Sequence, residues 1–154
     1  MAKRIRLGDV FEIPTSRGLA YAQYVHKRPE WGALIRVLPG FHSSRPPQVD
    51  RLVAEPARFV VFFPLQQAVS RKIFEVVANG PIPDEAKELP LFRARGFIDR
   101  EGRVQDWWLW NGEREWKIGE LSDEYRRLPI REVWNDTLLI SRIEEDWTPA
   151  REKV

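Results

Sequence analysis

A chain of 154 residues, 43% apolar and 31% charged, is long enough to bury a core and too apolar for a disordered polymer. Its net charge of +2 is a weak footprint for sequence-independent nucleic-acid binding. The absence of cysteine removes disulfide and thiolate chemistry.

The longest apolar run, FVVFFPL at 59–65, falls far short of the roughly 20 residues that a membrane helix needs. The basic start MAKRIR has no apolar stretch of about 7–15 residues behind it, so a secretory signal is not expected. These features suggest a cytoplasmic protein, with one globular domain over 1–148 and a charged tail over 149–154. Charge is uneven along the chain. Residues 1–77 hold 12 Lys+Arg against 6 Asp+Glu, a net +6, and residues 78–154 hold 13 against 17, a net −4. An acidic C-terminal half suits a cationic protein partner.

In IRLGDVFEI, Ile5, Leu7, Phe11 and Ile13 alternate with Arg4, Arg6 and Glu12, the period of a half-buried strand that Pro14 closes. LAYAQYV (19–25) and ALIRVL (33–38) read as the second and third strands of an antiparallel meander. PGFHSSRPPQ (39–48) is a loop, and VDRLVAE (49–55) a short helix before Pro56. RFVVFFPL (58–65) is apolar without alternation, as expected of a strand covered on both faces. One or two helical turns in LQQAVSRK (65–72) and a strand IFEVVA (73–78) follow. PDEAKEL (83–89) and SDEYRRL (122–128) begin with acids in the first turn and read as short helices, with Ser122 as the expected N-cap. TLLISRIE (137–144) reads as the final strand.

Between those two helices, FRARGFI (92–98), RVQDWWLW (103–110) and EREWKIG (113–119) form a second expected meander. It holds four of the seven tryptophans. A two-residue turn at Asn111-Gly112 would pair Trp110 with Glu113, Leu109 with Arg114, Trp108 with Glu115 and Trp107 with Trp116. Trp107, Leu109, Trp116 and Ile118 then share one face and are expected in the core. Trp108 and Trp110 share the other face with Glu113, Glu115 and Lys117. Two readings stay open for that face: a helix covers it, or its indoles are exposed among charges as binding anchors.

Motifs for catalysis are missing. His26 and His42 stand in no HxH or HExxH arrangement, there is no GxSxG elbow, and no glycine pattern cradles phosphate. No cofactor is expected. Were the chain a metal-dependent hydrolase, His26 and His42 would be the first ligands to consider.

LGDVFEIPT (7–15), LAYAQYV (19–25), VVFFPL (60–65), PLFR (90–93), WWLWNG (107–112) and NDTLLISRIEEDW (135–147) carry a resemblance. Taken in order, they resemble the immunity protein 26 family of bacterial polymorphic toxin systems, and they span nearly the whole chain. The resemblance implies a single-domain cytoplasmic protein, of the kind found in contact-dependent inhibition, that neutralises a cognate toxin domain by binding it. Such a toxin could be a basic nuclease. The family name also covers a small organophosphate phosphotriesterase, although this chain has no metal or nucleophile motif to match.

The expected architecture is mainly β within the α+β class: antiparallel meanders forming an SH3-like barrel or a curved β roll, with a few short helices. The expected function is immunity by protein–protein contact without catalysis. Trp108 and Trp110 would be the anchors, flanked by Glu113 and Glu115, with Glu144, Glu145 and Asp146 nearby if the last strand packs there. Two alternatives remain: a small hydrolase of phosphate triesters, and a small nucleic-acid-binding β barrel using the basic N-terminal half.

Overall fold

Alternating patterns at the start of the chain become β1 (Asp9–Thr15), β2 (Gly18–Arg28) and β3 (Gly32–Val37), paired as an antiparallel meander. The computed structural model describes residues 4–152, with the backbone alone for Val49 and Asp50. β4 (Phe59–Phe63) joins β3 and β5 (Glu75–Asn79) joins β1, giving a five-stranded sheet ordered β4-β3-β2-β1-β5. Register shifts between Val10 and Phe11 and between Tyr24 and His26 bend the strands. The two edge strands do not pair, so the sheet is an open curved roll and not a closed barrel.

The concave side is the main core. Phe11, Ile13, Ala22, Tyr24, Ile35, Val61 and Phe63 point into it from the strands. Leu65 and Ala68 enter from α2 (Leu65–Ser70). On the convex side, α1 (Val49–Val53) contributes Leu52 and Val53 against Val10 and Tyr21. β4 shows why its sequence does not alternate: Phe59, Val61 and Phe63 face the main core, while Val60 and Phe62 face a second cluster on the convex side. α3 is the short helix Asp84–Lys87. The SDEYRRL segment forms a 3-10 turn over Asp123–Tyr125, and Ser122 occupies its N-cap position without a side-chain capping bond.

The second sheet comprises β6 (Phe92–Arg95), β7 (Trp107–Trp110) and β8 (Glu115–Gly119), ordered β6-β7-β8. An extended segment ties it to the first. Ile130 bridges to Arg93 of β6 and Val133 to Phe62 of β4, both in parallel. The amide of Trp134 donates to the Phe62 carbonyl (3.0 Å), and that of Arg131 to the Arg93 carbonyl (2.8 Å).

The last strand expected from TLLISRIE is instead a helix, α4 (Asp136–Glu144). The Asn135 side chain accepts from the Leu138 amide (2.8 Å) and caps its N-terminus. Leu139 and Ile143, one helical turn apart, are buried in the roll beside Trp134 and Trp147. The Leu-Leu-Ile run fits either period, and the cap together with the i, i+4 pair decides for helix. Residues 149–152 of the expected charged tail pack against the domain. Pro149 is buried, the Trp147 indole donates to Glu152 (2.9 Å), and Glu152 pairs with Arg142 (3.3 Å). Residues 153 and 154 of that expected tail, and the basic start at residues 1–3, lie outside the described residues.

Candidate binding surface

The β7–β8 hairpin turns at Gly112-Glu113, one position later than Asn111-Gly112. The Asn111 amide donates to the Arg114 carbonyl (3.1 Å), so these two residues flank the turn. The Asn111 side-chain oxygen accepts from the amides of Glu113 and Arg114 (2.9 and 2.8 Å). Gly112 supplies the positive φ of 99°. A Cβ there would also meet Leu89 at 2.6 Å, which reserves the position for glycine.

Trp110 therefore faces Glu115, Leu109 faces Trp116 and Trp108 faces Lys117, each partner two residues later than expected. A two-residue shift preserves which side chains share a face from Trp108 to Trp110, but the expected Trp107–Trp116 pair is lost: a register shift intervenes, and Trp107 faces Gly119. The burial does not follow the sorting of faces. Trp107 and Leu109 are buried as expected, but Trp116 on their face is 41% exposed. Trp110, a candidate anchor, is only 7% exposed. Its ring lies 5.4 Å from Phe92 and 6.1 Å from Phe62, with Trp31 at 6.2 Å. Phe62 of the five-stranded sheet and Trp31 of the β2–β3 turn lie against it, and Ala86 of α3 packs on the same cluster. Arg131 lies over both Trp110 and Trp31 (5.3 and 5.1 Å) and pairs with Glu115 (2.8 Å). Arg28 lies over Trp110 and donates to the Gly112 carbonyl. Trp110 and Glu115 thus belong to a packed aromatic–arginine stack.

Trp108 remains half-buried at the surface. Its indole donates to Asp106 (3.2 Å), which also accepts from the Phe97 amide (2.7 Å) and lies 3.7 Å from the Lys117 ammonium. The Phe97 amide, and then the indole, hold the Asp106 carboxyl below the usual aspartate value against the opposing effect of desolvation. Gly96 presses against the same residue, where a Cβ would stand 2.6 Å from a carboxylate oxygen. Beyond it, Asp99 accepts from the amides of Glu101 and Arg103 and from the Gln105 side chain. Those bonds close a tight loop that presents Phe97 at 68% and Ile98 at 49% exposure. Sequence reading passed over both residues because they were assigned to a strand. The signal was Gly96 before two apolar residues and an Asp-Arg-Glu-Gly turn.

The remaining candidates are scattered. Glu144 accepts from the Ser16 amide, and Asp146 pairs with Arg17 (2.9 Å) and Arg58 (3.3 Å). Glu145 accepts from Ser141. Ser16 and Arg17 lie at the β1–β2 turn, Arg58 precedes β4 and Ser141 is on α4, and none of these contacts reaches the tryptophan hairpin. The basic first half and acidic second half partly neutralise one another inside the molecule. Glu113 is exposed without an ion pair among the described residues, but Arg100, Arg103 and Arg114 are exposed in the neighbouring loops, so the rim is mixed in sign. His26 is paired opposite Leu34 on β2, whereas the His42 ring packs edge-on against Tyr21 (5.5 Å). Among the described residues, no group of three His, Asp or Glu side chains could hold a metal ion. No helix among them is long and apolar enough to cross a membrane.

No protein-family model matches the chain, and neither a curated protein nor a solved structure matches it. The fold and surface define it as a mainly β protein of the α+β class, with a constrained apolar loop.

Proposed function

We propose that this protein is a cytoplasmic immunity protein that neutralises a cognate bacterial toxin domain by direct contact, without chemistry of its own. One observation carries the reading: Phe97 and Ile98 are held out in solvent by a hydrogen-bonded loop, beside the half-buried Trp108 that shares Asp106 with the Phe97 amide. Exposed aromatic and aliphatic side chains on a constrained backbone lose little entropy on binding, which is the character of an interface anchor. The resemblance of the chain to immunity protein 26 supports the same class. The mixed rim gives no preference for a strongly basic toxin; the anchors here are Phe97, Ile98 and Trp108, with Lys117 at their edge and Glu113 farther off in the hairpin turn.

The test is co-purification with the protein encoded beside it, followed by binding measurements on Phe97→Asp/Ile98→Asp and on Trp108→Ala. A one-to-one complex is expected, with each variant weakening it by at least about thirtyfold, as loss of an anchor worth about 2 kcal/mol implies. Their unfolding midpoints should stay near that of the parent. Undiminished binding by the double variant would refute the assignment of this surface.

A further inference from the structure

On the convex side of the roll, between β3–β4 and α3, lies a cleft of about 360 Å³. Leu34, Val60, Pro90 and Pro129 form much of its apolar wall. This volume falls within the roughly 300–1,000 Å³ of small-molecule sites, which combine apolar walls with a few convergent polar groups. The polar group here is unusual. Arg36 is 2% exposed, lines the cleft, and has no carboxylate within ion-pair distance among the described residues.

The Arg36 guanidinium is held by neutral acceptors alone: Gln23 Oε1 (2.9 Å) and the carbonyls of Glu55 (3.0 Å) and Val53 (2.5 Å). Five N–H groups make three bonds, leaving one donor on each terminal nitrogen. Burial pushes this guanidinium below its usual value, and the nearest opposing influence is the charge of Glu85 on α3. A buried cation without a counter-ion is costly, and an anion that enters its pocket recovers that cost. Arg127, exposed and without an ion pair among the described residues, stands on the cleft wall, whereas Arg58 there is turned to Asp146, a carboxylate it shares with Arg17. Glu85 and Glu88 also border the cleft but are exposed, so water screens them more than it screens Arg36. Their charge disfavours polyanions and leaves a monoanion as the best match.

We propose that this cleft binds a small monocarboxylate with an apolar body, its carboxylate on Arg36 and Arg127 and its body against Leu34, Val60 and the prolines.

The test is an NMR titration of the full chain with octanoate, following the arginine Nε–H signals, with octanamide as the uncharged control. The Arg36 signal should shift saturably with octanoate and not with octanamide. Arg127→Ala should weaken binding about two- to fivefold and Glu85→Gln should tighten it by a similar factor, as exposed charges do. Ala57→Trp, at an exposed position on the wall, should abolish binding without unfolding the protein. No shift of Arg36 at about 10 mM octanoate, tenfold above a 1 mM dissociation constant, overturns the proposal. Equal affinity for octanamide overturns it too, because the cleft would then be recognising the chain and not the charge.

Discussion

Replacing Trp110 with alanine separates the two roles that its position in the hairpin allows. The indole is 7% exposed and lies among Phe62, Phe92 and Trp31, beneath Arg131 and Arg28. Burying about 200 Å² of indole at roughly 25 cal/mol/Å² is worth about 5 kcal/mol before correction. The alanine methyl retains a part, and a compact denatured state lowers the sum further. Loss of ring–ring and cation–π contacts works in the opposite direction. The expected destabilisation is therefore about 4 kcal/mol, within the range for aromatic-to-alanine changes in cores. Trp116→Ala, at a site 41% exposed, should cost about 1 kcal/mol or less. Guanidinium unfolding followed by far-UV circular dichroism reads both, since it does not depend on the indoles removed. A loss below about 1.5 kcal/mol for Trp110→Ala, combined with lost partner binding, would refute the core assignment.

Three further outcomes follow from the same contacts. Asn135→Ala removes the acceptor for the Leu138 amide and should destabilise the fold by about 1 kcal/mol in the same unfolding assay. Gly96→Ala forces a methyl against Asp106, so the amide signals of Phe97 and Trp108 should move far more than those of β1 to β4. The Asp106 carboxyl titrates below the usual 3.8 in the folded state, so its contribution is present above that pH and lost as pH falls through the lower folded value. The Phe97 amide signal should hold steady from neutral pH to about 5 and move only below about 4, and Asp106→Asn should remove that acid step.

The first sheet was legible because Phe11 and Ile13 alternate in β1 and β4 is a continuous apolar run buried on both faces, although Val10 packs on the opposite face of β1 and Leu7 is exposed before it. α4 was not, since Leu138-Leu139-Ile140 offers the same residues to either period and Asn135 was not weighed as a cap. The hairpin was recognised while its turn was misplaced by one residue. Asn111 can enter a turn through its backbone or close one through its side chain, and here it does the latter. Face sorting survived from Trp108 to Trp110 because the register changed there by an even number, while a bulge at Trp107 broke the expected pair with Trp116. The burial of Trp110 is a tertiary fact set by Phe62 and Trp31, far away in sequence. Phe97 and Ile98 show the converse: apolar residues next to a strand are read as its continuation unless the turn chemistry at Gly96 and Asp99 is weighed first.

The roll is filled from its far end. Leu139, Ile143 and Trp147 complete a core whose walls are built from residues 11 to 63, and Ser16 and Arg17 are fastened to Glu144 and Asp146 more than 120 positions later. On a ribosome the five strands are made first, and their inner apolar face is covered only in part, by α2 and Phe74, until residues 130–147 emerge. Pairings this distant in sequence fold slowly and leave unlined strands prone to association meanwhile. C-terminal truncation at residue 135 is therefore a more severe lesion than the short length removed suggests.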